Sequence, residues 1–184
     1  MRESVALSIT YHSFHREEPS TFEVEPYCVK LFEQRWYMLG KSEGYDELRL
    51  YALDRIKALE PTERKFKLPK KFDAAKYFED YYDIIIGDED FDVGPVALKV
   101  DSWQSKYLRT LPLHHSQVEV ERNEEYSIFE YRLCPSFDFR QKVLSMGVAV
   151  EVLAPTKLIT KVREEGIAER AQPNEEYKFK MYKK

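Results

Sequence analysis

The sequence predicts an α+β protein of two domains: a small twisted β-barrel or roll, then a ferredoxin-like βαββαβ unit. Three observations predict this. Residues 1–82 hold five or six short strand patterns and a single helical one. Residues 96–166 run strand, helix, strand, strand, helix, strand. Between them the charge changes sign: Asp54 to Lys76 carries eight bases against four acids, and Glu79 to Asp92 carries seven acids and no base. With Gly87, Gly94 and Pro95 close by, residues 83–95 read as an acidic surface linker.

The first strand alternates Val5, Leu7, Ile9 and Tyr11 with Ala6, Ser8, Thr10 and His12, the period of a half-buried strand. A short strand over Thr21 to Val24 is expected to stop at Pro26. Tyr27 to Phe32 and Arg35 to Leu39 flank Glu33-Gln34 as a tight hairpin, and Glu43-Gly44 opens another turn before a strand over Leu48 to Leu53. Ile56 to Phe66 is extended and broken by Pro61. Asp73 to Tyr82 is the helix, with Asp73 as its N-cap and Phe72, Ala75 and Phe78 on one face. Closing so many short strands into a barrel removes exposed edges.

In the second domain Val96 to Val100 is a strand, and Asp101-Ser102 cap a helix reaching about Thr110. Gln117 to Arg122 and Tyr126 to Leu133 are strands around Asn123-Glu124-Glu125. Ser136 caps a helix that Gly147 ends. Ala149 to Leu153 is the last strand, and Pro155 opens a helix to Glu165. Residues 167–184 form a polar tail, and the alternation Tyr177 to Tyr182 suits an added strand.

Composition narrows the function. Of 184 residues 43% are hydrophobic, enough for a core, and the net charge of -4 gives no bulk attraction for a polyanion, so such a partner needs a local patch. No apolar run is long enough to cross a membrane, and a cytoplasmic location is expected. Cys28 and Cys134 are far apart in apolar runs, as buried thiols of a reducing compartment would be. His114 and His115 are adjacent, which in a strand or a helix points their side chains apart. The six glycines are scattered singly, without a phosphate loop. No nucleophile motif and no zinc-ligand spacing occurs. An enzyme is not expected, nor catalytic residues, a metal or a cofactor.

One stretch stands out, Gln34 to Gly40 followed by Leu48 to Ile56. On the hairpin, Arg35, Tyr37 and Leu39 share one face, with Trp36 and Met38 on the other. Arg49 and Tyr51 share a face too, and both arginines are placed to approach Tyr37 across neighbouring strands. Rings beside guanidinium groups on a β surface suit nucleotides: the ring stacks on a base while arginine offers a charged fork to phosphate. The alternative is structural, with Trp36 and Met38 in the core and Arg35, Arg49 and Arg55 paired with Glu33, Glu47 or Asp54.

Val24 to Glu60 resembles the WYL domain, through Pro26-Tyr27, Arg35-Trp36-Tyr37, Gly40, Leu48-Arg49 and Leu53-Asp54-Arg55-Ile56, with Met38 in the position of the family's leucine. Phe72-Asp73 to Tyr77-Phe78 resembles that domain's closing helix. Val96 to Glu165 is similar to the WYL C-terminal extension domain, although Leu113 and His115 replace a tryptophan and a proline of its turn. The resemblance implies an Sm-like small barrel followed by a ferredoxin-like domain. It also implies a bacterial transcriptional regulator that senses a single-stranded nucleic acid or nucleotide ligand, commonly as a homodimer. By position it maps the ligand-facing residues onto Tyr11, Arg35, Tyr37, Arg49 and Arg55 and leaves Trp36 in the core. The family's N-terminal helix-turn-helix has no room before Val5, so the expectation is an effector half, or a short member served by a DNA-binding domain or partner protein absent from this chain. An interaction module for another protein is the alternative, motivated by the acidic run and the tail.

Overall fold

The computed structural model describes residues 4–166, and the chain divides into two compact units between Asp88 and Glu89, inside the acidic run. The expected tail strand lies outside the described residues. Both units are α+β, each with one antiparallel sheet.

The first sheet is built from β1 (Val5–Tyr11), β2 (Ser20–Phe32), β3 (Arg35–Ser42), β4 (Arg49–Ala52) and β5 (Ile56–Lys65), in the order β4-β3-β2-β1-β5. Its two edges, β4 and β5, are joined in sequence by a single 3-10 turn, Leu53–Arg55. In a flat sheet the edge strands would stand about 19 Å apart, whereas the chain from Ala52 to Ile56 reaches at most about 14 Å. The sheet must therefore curl. The curl brings Tyr11 of β1 and Tyr51 of β4 together, ring centroids 5.3 Å apart and edge to face. Its concave side holds Ile9, Val24, Met38 and Tyr51, flanked by Leu7, Tyr11, Phe22 and Ile56.

Two prolines that were expected to end strands do not. β2 runs through Pro26, and the pairing with β3 slips between Pro26 and Cys28, a bulge that absorbs the missing N–H. Pro61 sits inside β5, an edge strand with β1 as its one neighbour, where a lost donor faces no second partner. The β2–β3 turn at Glu33 and Gln34 has φ of 42° and 68°, the left-handed pair of a tight hairpin. The helix is shorter than expected: α1 spans Ala74–Phe78, with the Asp73 carboxylate accepting from the N–H groups of Ala75 and Lys76 at 2.9 and 3.3 Å.

The second unit runs β6 (Gly94–Asp101), α2 (Gln104–Thr110), β7 (Val118–Arg122), β8 (Tyr126–Leu133), α3 (Phe137–Ser145), β9 (Val150–Ala154) and α4 (Thr156–Glu165), with strand order β7-β8-β6-β9. Val96, Leu98 and Val100 pair with Tyr131, Phe129 and Ser127, so one face of β6 and β8 is buried. Leu108, Phe139, Val143 and Leu158 complete that core from the helices. Asp101 caps α2 by accepting from Gln104 N–H at 2.6 Å, but the Ser136 hydroxyl donates to Asp138 instead of capping α3. The start of this unit is packed and not a free linker: Phe91 is buried, its carbonyl accepts from the Cys134 thiol, and Asp90 pairs with Lys161 at 2.8 Å.

Candidate functional site

Register decides which side chains meet. Residues directly opposite in an antiparallel pair share a face. Arg49 lies opposite Gly40, and Tyr51 opposite Met38. Arg49 and Tyr51 therefore belong to the concave face of Met38, while Tyr37 and Leu39 oppose Ala52 and Leu50 on the other face. The expected approach of both arginines to Tyr37 does not occur. Tyr37 instead shares its face with Lys30, whose ammonium lies over the Phe78 ring at 4.2 Å and pairs with Asp83 at 3.4 Å. Arg35 leaves the site as well, held by Asp54 at 3.1 Å, which is the structural alternative realised at that one arginine.

Tyr11, Arg49 and Arg55 do converge. They line a cleft of about 470 Å³ at the open end of the concave face, together with Ser13, His15, Arg16, Ser20, Thr21, Phe22, Glu43, Tyr45, Leu50 and Tyr51. Three arginines face one carboxylate there, a local positive field in a chain of net charge -4. The floor is fixed by Tyr51, whose hydroxyl shares a 2.7 Å hydrogen bond with the buried Ser42 hydroxyl. Burial raises the Tyr51 pKa, so the phenol stays neutral and serves as a hydrogen-bonding wall. Gly40, opposite Arg49, is needed for the approach of β2 to β3: a Cβ there would stand 2.4 Å from Val24 Cγ1 and 2.8 Å from the Glu25 carbonyl oxygen.

Two contacts of the site arginines escaped the sequence reading. Tyr45, which lines the cleft, lies 4.0 Å from the Arg49 guanidinium, and Phe14, outside that lining, lies 3.8 Å from the guanidinium of Arg55. Both stand in loops, where no periodicity marks a side chain. Neither Arg49 nor Arg55 takes a carboxylate partner among the described residues, and Arg55 Nε is buried without a hydrogen-bond acceptor. Arg64, by contrast, is saturated by Glu23 and Glu25 at 2.7 and 2.6 Å.

Trp36 corrects a second expectation. It is 50% exposed, opposite Leu31 near the hairpin tip, because the β2–β3 hairpin extends past the curled part of the sheet. Met38, two residues on, is the buried one at 3%. His114 and His115 lie in a turn, not in a regular element, and their rings come within 4.2 Å instead of pointing apart. Cys134 is buried and Cys28 half-buried, and neither forms a disulfide among the described residues. Among the described residues no group of three or more His, Cys, Asp or Glu side chains is placed to hold a metal ion, and no helix is long and apolar enough to cross a membrane.

The two sheets and the cleft define a two-unit α+β protein with an aromatic, cationic recess in its first unit. Comparison with family models matches the WYL domain over residues 1–61 and the WCX domain over residues 92–168. The chain belongs to the WYL-domain family. No curated protein matches. Among solved structures it is similar to proteasome accessory factor B/C of Arthrobacter aurescens, 20% identical over 88% of this chain with a TM-score of 0.37, and to a CRISPR Cas-related protein, 13% identical over 89% with a TM-score of 0.48. The chain spans 24% and 46% of the lengths of those two proteins.

Proposed function

We propose that this chain is the ligand-sensing module of a transcriptional regulator, and that its cleft binds a nucleic-acid or nucleotide ligand. The carrying observation is the convergence of Arg16, Arg49 and Arg55 on a cleft with one carboxylate, Glu43, while neither Arg49 nor Arg55 has a carboxylate partner among the described residues. A phosphate oxygen offers such guanidinium groups a charge-assisted acceptor. Arg49 and Arg16 add positive charge, and the rings of Tyr11 and Tyr45 offer apolar walls for a base or sugar. On this reading the curled sheet is an Sm-like barrel, the second unit is ferredoxin-like and helps pair two copies, and a DNA-binding domain or partner protein outside these residues reads the DNA. The role is binding without turnover, in the cytoplasm.

The test is fluorescence anisotropy with short labelled single-stranded DNA and RNA at low and high salt, with Arg55→Glu and Arg49→Glu beside the parent. Salt-sensitive binding that both variants abolish, with unchanged melting temperatures, supports the proposal. Binding indifferent to either charge reversal refutes it. A second reading, a protein-interaction module, is favoured by Trp103, Tyr107 and Leu111 on one side of α2, exposed by 64%, 55% and 77%. It predicts that Trp103→Ala abolishes capture of a partner while leaving oligonucleotide binding intact.

A further inference from the structure

We infer that Phe14, stacked on Arg55 beside the cleft, is the platform for a ligand base. The inference rests on the reading that the cleft takes a nucleotide-bearing ligand, and it names the side chain that meets the base. Phe14 stands in the loop between β1 and β2, where strand alternation has ended. Three hydrogen bonds shape the loop. The Arg16 N–H donates to the Ser13 carbonyl at 3.1 Å, and the His15 N–H donates to the Ser13 hydroxyl oxygen at 3.3 Å. At its root the His12 N–H donates to the Arg55 carbonyl at 3.1 Å, which ties the loop to the turn carrying the arginine. Phe14 is thus set against Arg55 by backbone bonds.

The ring has two faces with different neighbours. One covers the Arg55 guanidinium, 3.8 Å from its Cζ, and the side chain as a whole is 72% exposed, which leaves the other face open to solvent. Stacking uses the flat side of a guanidinium and spares its N–H edge. Arg55 itself lines the cleft; its Nε is sealed from solvent, so a phosphate there would meet the terminal N–H groups of the guanidinium. A phosphate on that edge and a base on the free face of Phe14 are two ends of one nucleotide unit. The platform works only for a base that is not already paired and stacked in a duplex.

The experiment compares the parent, Phe14→Ala and Phe14→Trp in anisotropy titrations with two labelled probes, an eight-nucleotide oligothymidylate and an abasic strand of the same length and charge. Base–aromatic stacking is worth ~1–3 kcal/mol per base, so Phe14→Ala should weaken the oligothymidylate about tenfold or more. It should change the abasic strand by less than about twofold, and Phe14→Trp should restore or exceed parental affinity. The ring is exposed, so the melting temperature of Phe14→Ala should stay at the parental value. Equal losses on both probes would reduce Phe14 to a support for Arg55. No loss on either probe removes the ring from the interface, and a gain makes it a cover that the ligand displaces; each of these overturns the inference alone. A parent that binds neither probe overturns the nucleotide reading of the cleft, and the platform with it.

Discussion

Replacing Gly40 by alanine tests the close packing of β2 against β3. The added methyl would stand 2.4 Å from Val24 Cγ1 and 2.8 Å from the Glu25 carbonyl oxygen. Neither neighbour yields easily. Val24 is fully buried in the concave cluster, and a β-branched side chain has few alternative rotamers. The carbonyl belongs to the backbone of β2, so relief requires β2 and β3 to separate by several tenths of an ångström. Overpacking of this kind costs about 1–3 kcal/mol, and two clashes place it in the upper half. The alanine recovers roughly 0.5–1 kcal/mol by restricting the unfolded chain. The net is a loss of about 1–2.5 kcal/mol. For a unit of this size that lowers the melting temperature by roughly 10 °C. Differential scanning calorimetry measures it on the transition of the first unit. Gly44→Ala is the control: its φ of 83° imposes strain, but no atom lies within 4 Å of its added Cβ, so its loss should be smaller. Because Gly40 lies opposite Arg49, the displaced wall should also weaken oligonucleotide binding. A Gly40→Ala protein that melts within about 2 °C of the parent would refute the close approach of β2 and β3 and, with it, the reason given for a glycine beside Arg49.

Other outcomes follow from the same geometry. Tyr51→Phe strands the buried Ser42 hydroxyl and should cost about 1–2 kcal/mol, read as a lower midpoint in urea with an unchanged slope. Arg35→Met should cost less than about 1 kcal/mol, since its pair with Asp54 is largely exposed, and should leave oligonucleotide affinity unaltered. Arg55→Met should lose ~10-fold or more in affinity at little cost in stability, because the charge-assisted bond it offers is made only to ligand. In the second unit, the hydrogen-bonded Arg109 guanidinium holds the Glu119 carboxyl at about 2, well below its ordinary 4.5. A folded pKa depressed in this way contributes stability that is complete above about 4.5 and disappears as pH falls through about 2. Glu119→Gln should therefore flatten the acid-side decline of stability across that window, measured by urea titrations at stepped pH. An unchanged slope would show that the pair contributes nothing.

Legibility in the sequence followed the range of the interactions involved. Alternation in Val5 to Tyr11 and Val96 to Val100, the Asp73 cap and the left-handed turn at Glu33-Gln34 are local, set by adjacent dihedrals and side-chain period. The α+β class was readable for that reason, and the WYL family through the resemblance of the ordered motifs between Val24 and Glu60. Pro26 and Pro61 misled because a proline's effect depends on whether its missing donor had a neighbour, and strand order, not sequence, decides that.

The cleft divides along the same line. The family resemblance, by position, marked Tyr11, Arg49 and Arg55 together with Arg35 and Tyr37 as ligand-facing. Only the tertiary structure separated the first three from Arg35 and Tyr37, since a register in which Arg49 opposes Gly40 puts the two sets on opposite faces. It alone turned Trp36 outward and brought Phe14 and Tyr45 from two loops onto the arginines, contacts with no sequence period to announce them. A strand fixes its own alternation, but which face is concave, and what closes over it, depends on the curl that a single short turn from β4 to β5 imposes on the whole sheet.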